Sequence, residues 1–277
     1  MADSTDSRVE DHYTHRDLAA AIFEALAAAG KDVDNLTLQD LAPVDEFHVR
    51  GQEATAELAR AARLDATMHV LDVGSGVGGP SRYLAAEFGC RVTGLDLTQE
   101  YCRAAQVLAD RLGLGDRILC RQGDALNMPF DDASFDVAWT QHMAMNIEDK
   151  PRLYSEMWRV VKQGGLIAIY DILAGDGGPA HFPVPWARES SISFLATPDE
   201  LRDLLEEVGF EILSWRDTTD LGREWFRALR RRIQEEGAPP LGFQVLLGPD
   251  FQVMAQNQVR NLEENRIALI EVLARKP

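Results

Sequence analysis

The chain reads as an α/β protein built on a Rossmann-like, mostly parallel sheet of seven strands with helices on both faces. Three observations predict this. From Met68 onward, seven short apolar runs alternate with amphipathic stretches. The first run enters the glycine-rich turn Gly74-Ser75-Gly76-Val77-Gly78-Gly79, and Pro80 then opens a helix. Farther along, Thr197-Pro198-Asp199-Glu200 has the form of a capping box with proline at the first helical position, and Gly209 follows the last turn of that helix.

Ahead of the sheet, residues 1–66 read as an N-terminal helical cap. Leu18, Ile22, Phe23 and Leu26 share one helix face, Gly30 can end that helix in a left-handed conformation, and a second helix is expected from Gln52 to Ala62. Strands are expected at 68–73, 90–95, 117–122, 135–140, 165–171, 210–215 and 267–273. Residues 175–194 contain Gly177-Gly178-Pro179 and Phe182-Pro183-Val184-Pro185-Trp186, too long and proline-rich for a simple connector. A helical insertion before the last strand, residues 221–264, is broken at Gly237-Ala238-Pro239-Pro240. The expected organisation is therefore a cap over 1–66 and a core over 67–277, with substrate-side insertions near 175–194 and 221–264.

Composition limits the partners. The 277 residues, 45% of them hydrophobic, suffice for a substantial core. A net charge of −17 repels phosphate backbones, which argues against nucleic acid and for a small-molecule substrate. Four of the 28 basic residues are lysines (Lys31, Lys150, Lys162, Lys276), a bias that a saline habitat or a GC-rich genome would each produce. The first residues lack a basic stretch followed by an apolar run, and no window approaches the ~20 apolar residues of a membrane span, so a cytoplasmic location is expected. Cys90, Cys102 and Cys120 match no zinc spacing and read as reduced core residues; no metal site is expected, and a homo-oligomer is left open.

The glycine turn by itself has two readings. Gly74, Gly76 and Gly79 satisfy the dinucleotide fingerprint, in which glycines bring backbone close to a ligand at a helix N-terminus, so an NAD-dependent oxidoreductase is one candidate. Asp72, a carboxylate on an otherwise apolar strand, needs partners such as turn amides or a cationic ligand. Asp96 ends the second strand 22 residues after Gly74, where an acid can accept both ribose hydroxyls. Asp124, after the third strand in Gln122-Gly123-Asp124-Ala125, can accept from an adenine amine. This third acid favours a different adenosyl cofactor.

With these residues in place, the chain resembles the class I S-adenosylmethionine-dependent methyltransferases, from about Val70 to Ile172. The glycine motif is similar to Leu71-Asp72-Val73-Gly74-Ser75-Gly76-Val77-Gly78-Gly79, and the ribose and adenine acids match Asp96 and Asp124. Phe135-Asp136-Val137-Ala138-Trp139-Thr140-Gln141-His142 resembles the fourth-strand motif, and Trp158-Arg159-Val160-Val161-Lys162-Gln163-Gly164-Gly165 the run into the fifth strand. The resemblance implies an antiparallel last strand at Ile267 to Leu273 and S-adenosylmethionine as cofactor. It also implies cofactor contacts from Asp72, Gly74, Ser75, Gly76, Gly78, Asp96, Leu97, Asp124, Ala125 and Gln141. A protein that binds this cofactor without catalysis would carry the same motifs.

Methyl transfer requires alignment of nucleophile and donor more than a covalent protein nucleophile. His142, immediately after the fourth strand, and His48, in Asp45-Glu46-Phe47-His48-Val49-Arg50-Gly51, are the candidate catalytic residues; Asp45, Glu46 and Arg50 read as charges that could simply be solvated. Tyr13, Met143, Asn146 and Trp186 are candidate substrate contacts, Trp186 as an aromatic wall for an ammonium group. His69, inside the first strand, reads as a structural histidine. Gly78 to Ala85 and the loop ending at Trp186 resemble the sarcosine and dimethylglycine N-methyltransferases, which implies N-methylation of an amine. A C- or O-methyltransferase acting on a quinone, terpenoid or other natural product would share the cofactor half. No counterpart to a carboxylate-binding arginine is evident in the caps.

Overall fold

The computed structural model describes residues 17–237 and 241–277. The cap comprises α1 (Leu18–Ala28), α2 (Leu38–Asp45) and α3 (Gly51–Ala61). The core then alternates β1 (His69–Val73), α4 (Gly79–Glu87), β2 (Arg91–Asp96), α5 (Gln99–Arg111), β3 (Ile118–Gln122), β4 (Phe135–Gln141), α6 (Lys150–Val160) and β5 (Val161–Ala174). It continues through α7 (Pro198–Val208), β6 (Glu211–Asp217), α8 (Thr219–Glu236), α9 (Gln244–Leu247) and α10 (Phe251–Glu263) to β7 (Ile267–Arg275).

The seven strands form one sheet in the order β3-β2-β1-β4-β5-β7-β6. β1 to β5 pair in parallel, and β7 runs antiparallel between β5 and β6, as expected. Strand order reverses between β1 and β4, so the connections leaving their carboxyl ends diverge and open a crevice there. β1 is central and covered on both faces, which is why Val70, Leu71 and Val73 are all apolar rather than alternating.

The cap signals act as read. Thr197 and Glu200 satisfy each other's backbone at the start of α7, and Gly209 ends it at φ 110°. Gly30 lies at φ 78° just past α1. Two features were not legible. α2 contains Pro43, a residue that argues against helix interior, yet a Thr37/Asp40 capping box starts it. β5 begins at Val161, directly after α6, because Val161 pairs with Phe135 before the register shifts across Gly164 and Gly165. Gly164 takes φ 77° there.

Cap, core and insertion share an apolar cluster. Leu18, Ile22 and Leu26 of α1 pack with Tyr101, Ala104 and Leu108 of α5 and with Leu246 and Leu247 of α9. Full burial of each large aliphatic side chain contributes about 1.5–3 kcal/mol, so this seam fixes the cap over the carboxyl ends of the strands. Of the three thiols, Cys90 and Cys102 are buried and Cys120 partly so, all free. Burial raises each of them, to about 11 or 12, so they stay protonated and unreactive at neutral pH. Among the described residues, no group of three or more His, Cys, Asp or Glu could hold a metal, and no helix is long and apolar enough to cross a membrane.

Candidate active site

A cavity of about 1170 Å³, its open mouth included, lies at the carboxyl ends of β1 to β4 beneath the cap. The glycine turn makes one wall. Gly74 and Gly76 take φ 75° and 53°, conformations that side chains rarely adopt. A Cβ on Gly74 would fall 2.2 Å from the Met143 side chain, and one on Gly79 2.2 Å from the Asp45 carbonyl; at Gly76 the space is open. The glycines therefore let the turn approach the β4 loop and the cap as well as the cavity.

The turn's amides are committed to β2. Gly74 and Ser75 N–H donate to the Leu95 carbonyl at 2.8 and 3.1 Å, and Gly76 N–H donates to Asp96 Oδ2 at 2.8 Å. Thr98 N–H donates to Asp96 Oδ1 at 2.9 Å, which fixes that carboxylate at the cavity edge. Asp72 is not held by turn amides; it accepts from the Ser81 hydroxyl of α4 at 2.6 Å, and burial pushes its carboxyl up to about 7 against that bond. Asp124 accepts from Leu126 N–H at 2.7 Å and stays exposed at the mouth.

The charged residues before α3, for which a solvated reading was open, are buried. Asp45, Glu46 and Arg50 are 5%, 4% and 3% exposed. Asp45 and Arg50 have charged partners, Arg82 at 2.6 Å and Glu57 at 2.7 Å, which is how charge survives there, whereas Glu46 accepts from the neutral Thr55 hydroxyl at 3.1 Å. Burial, with the Asp45 charge beside it, pushes Glu46 up to about 8. His48 Nε2 lies 3.0 Å from the Gly51 carbonyl, 3.1 Å from Thr55 Oγ1 and 3.2 Å from Gln141 Nε2. Burial drives His48 down to about 4, so it is neutral at pH 7.

His142 stands at the centre of this wall in a left-handed conformation, φ 49°. Its N–H donates to the Tyr170 carbonyl of β5 at 2.8 Å, and its ring lies 5.0 Å from Tyr170 and 5.9 Å from His48. Its Nε2 is buried with no hydrogen-bond partner. Burial and the neighbouring His48 hold the imidazole well below its usual range, hence neutral. A residue on the cavity wall with a buried imidazole nitrogen that no protein group satisfies is a candidate for a hydrogen bond with a ligand.

The cavity lining brings together Asp72, Gly74, Ser75, Gly76, Asp96, Leu97, Asp124, Ala125, Gln141, His142, Met143, Asn146 and His48. Two expected members lie apart from it. Gly78 is buried at the start of α4, where a Cβ would meet Arg82 and Ala105 at 3.0 and 3.1 Å; its glycine is demanded by φ 80° and close packing. Trp186 is 1% exposed and packs in the main core with its Nε1 donating to Ser193 Oγ at 2.9 Å, so it is not a wall of this cavity. It acts on the site through its carbonyl, which accepts from Asn146 Nδ2 at 2.8 Å. Tyr13 lies outside the described residues. His69, read as structural, sits 2.9 Å from the Thr93 hydroxyl.

Sequence reasoning missed Phe47, Tyr101 and Ile147 as lining residues. Phe47 and Ile147 adjoin residues that were singled out, but nothing local marks Tyr101, which reaches the site only through the packing of α5. Leu246, an apolar residue of the insertion that fits a greasy pocket or a core equally well in sequence, lines the cavity. An adenosyl cofactor with a sulfonium fits this lining. Asp45, Asp72, Asp96 and Asp124 suit a ligand with net positive charge, Ser75 Oγ is buried without a partner, and Gly76 leaves open space.

Comparison with known proteins gives the same class. Residues 71–169 match the family described as a methyltransferase domain. A sarcosine/dimethylglycine N-methyltransferase of Halorhodospira halochloris is 29% identical over 217 residues, spanning 78% of this chain and 77% of that one. A sterol 24-C-methyltransferase of Eremothecium gossypii is 36% identical over 157 residues, 54% of this chain and 42% of the relative. In fold, the chain superposes on the Haemonchus contortus phosphoethanolamine N-methyltransferase 2, solved with phosphomonomethylethanolamine and S-adenosylhomocysteine. The TM-score is 0.75 at 20% identity, covering 100% of this chain and 61% of that one. Residues 71–169 thus carry a methyltransferase domain, and the domain and its relatives support S-adenosylmethionine-dependent methyltransferase activity. Within that class it has both N- and C-methyltransferases as relatives.

Proposed function

We propose that this small-molecule methyltransferase moves the methyl group of S-adenosylmethionine to an amine nitrogen. The carrying observation is His142: neutral, on the cavity wall, with a buried Nε2 that has no partner in the protein. A nitrogen acceptor must attack with a free lone pair, and a neutral imidazole nitrogen beside it can accept its N–H and so orient that lone pair. The likeness to the sarcosine/dimethylglycine enzyme spans about three quarters of both chains, whereas the likeness to the sterol enzyme spans under half of the latter, and this supports nitrogen over carbon.

In this reading Asp96, fixed by two amides, accepts from the ribose hydroxyls, and Asp124 at the mouth accepts from the adenine amine. Gly74, Ser75, Gly76, Leu97, Ala125 and Gln141 shape the same cleft, with Asp72 behind them. When bound, the cofactor would supply an electrophilic sulfonium methyl for in-line attack, with the neutral thioether as leaving group. His142 Nε2 would accept an N–H hydrogen bond from the amine, so that the lone pair faces away from the imidazole; the product leaves as the ammonium and gives up its proton to solvent. His48 is a positioning residue: its Nε2 is engaged by Gly51, Thr55 and Gln141, and its ring packs edge-on against His142. The apolar side chains of Phe47, Ile147 and Leu246 close the cavity against water.

Initial rates with matched amines, phenols and carbon acids test the reading. Turnover of amines supports it; turnover confined to phenols or carbon acids contradicts it and favours O- or C-methylation in the same cavity.

A further inference from the structure

α8 outruns the body on which it packs. Its first half is anchored: Gly222 is buried, and Trp225 and Phe226 pack against the main core. Beyond the half-buried Leu229, every residue from Arg230 to Glu236 is exposed, the large apolar Ile233 among them.

Little within the chain supports this free half. Arg227, Arg230, Arg231, Arg232, Glu235 and Glu236 make no ion pair with any described residue. Arg227 stands three and four positions before Arg230 and Arg231, spacings at which like charges repel on a helix. Glu235 and Glu236 occupy the last turn, where the helix dipole disfavours acids. Opposite charge has to come from outside.

The pattern of the free half fits a copy of itself. Leu229, Arg232, Ile233 and Glu236 follow the i, i+3, i+4, i+7 spacing of one helix face, and Arg232, Glu235 and Glu236 lie along the same edge of it. In an antiparallel helix pair the matching edges of two copies meet. A crossing near Ile233 therefore sets Arg232 of each copy against Glu235 and Glu236 of the other, with the two Ile233 side chains between them. A parallel pair would instead set that edge against the one that carries Arg230.

We infer that the protein forms a two-fold dimer in which the free half of α8 pairs antiparallel with that of a second copy. The net charge of −17 opposes contact between copies over most of the surface, and the four arginines at 227–232 relieve that repulsion here. A lipid surface suits the segment less well, because Glu236 lies on the face that would have to enter it. Two turns of helix bury less than the ~1,200 Å² of a standard interface, so the dimer is a weak one with a micromolar dissociation constant.

Sedimentation velocity of the full-length protein from about 1 to 300 µM, at physiological salt, reads the association directly. A shift from monomer to dimer is expected across that range. Arg232→Glu and Ile233→Asp should each weaken the dimer by about 10-fold or more, through lost opposite charge and a charge placed between the helices. Reversing the whole edge, Arg232→Glu with Glu235→Arg and Glu236→Arg, should recover most of the wild-type association. These side chains are exposed and outside the cavity, so every variant should keep the wild-type affinity for S-adenosylhomocysteine, which shows that it is folded. Monomer throughout the range, or a dimer that Arg232→Glu leaves unchanged, would overturn the inference. Recruitment of the monomer to phosphatidylglycerol vesicles in place of dimerisation would overturn it too, and would give the helix to a lipid surface.

Discussion

Asp45 of α2 and Arg82 of α4 are joined by a 2.6 Å ion pair in which neither side chain is more than 4% exposed. The pair ties the cap to the helix that follows the glycine turn, directly beneath the cavity. Removing one partner of a buried pair leaves an uncompensated charge and costs about 3–5 kcal/mol, whereas replacing both by apolar groups is often near neutral. Arg82→Met should therefore lower unfolding stability by that amount, and Asp45→Leu with Arg82→Met should recover most of it. Urea denaturation of the two variants measures this; equal losses would mean that the pair is not what holds the cap.

Asp96 is held by the amides of Gly76 and Thr98, so its carboxylate is fixed before any ligand arrives. Asp96→Ala should weaken S-adenosylhomocysteine binding by about 1–3 kcal/mol, the worth of hydrogen bonds to a charged group. Titration calorimetry reads the change, and unaltered affinity would remove Asp96 from the ribose site.

For His142 the expected loss is in turnover. His142→Phe should cut kcat by about 10²-fold or more while leaving S-adenosylhomocysteine affinity within a few-fold. Because burial holds this imidazole well below 6.5, it is already neutral at pH 7. The wild-type rate should then show no inflection from His142 between pH 6.5 and 9, and a rise with pH over that range belongs to the amine. A His142→Phe variant with wild-type kcat would return the residue to a structural role.

Glu46 makes stability depend on pH. Burial and the Asp45 charge raise its carboxyl from 4.5 to about 8, so the folded state prefers it protonated. Its contribution is fully present below about 4.5 and is lost as pH rises through about 8. Asp72 and Asp171, both raised to about 7 by burial, act in the same direction. His48, lowered from 6.5 to about 4, acts oppositely: its contribution is present above 6.5 and is lost as pH falls towards 4. Glu46→Gln should flatten the fall in Tm between pH 5 and 8. An unchanged slope would place the titrating group elsewhere.

The succession of strands along the chain and the class of cofactor were legible because both rest on local pattern. Buried strands need apolar runs, the turn at Gly74 and Gly76 needs glycine for positive φ, and Asp96 and Asp124 mark strand ends. The buried charges of Asp45, Glu46 and Arg50 were not legible, because a charged residue in a loop is ordinarily solvated and only their distant or folded-back partners reveal otherwise. Trp186 misled for a related reason: an aromatic in a proline-rich loop fits a substrate wall or a core equally well in sequence, and here the core takes it. Leu246 was open between pocket and core in sequence, and it lines the cavity from α9.

The most direct test of the account is the destination of the methyl group. The protein is incubated with S-adenosylmethionine carrying a ¹³C-labelled methyl and with a panel of amines, and the product is examined by carbon-proton correlation NMR. The account predicts a ¹³C methyl bonded to nitrogen. A labelled methyl found only on oxygen or carbon, or no transfer to any amine, would contradict it.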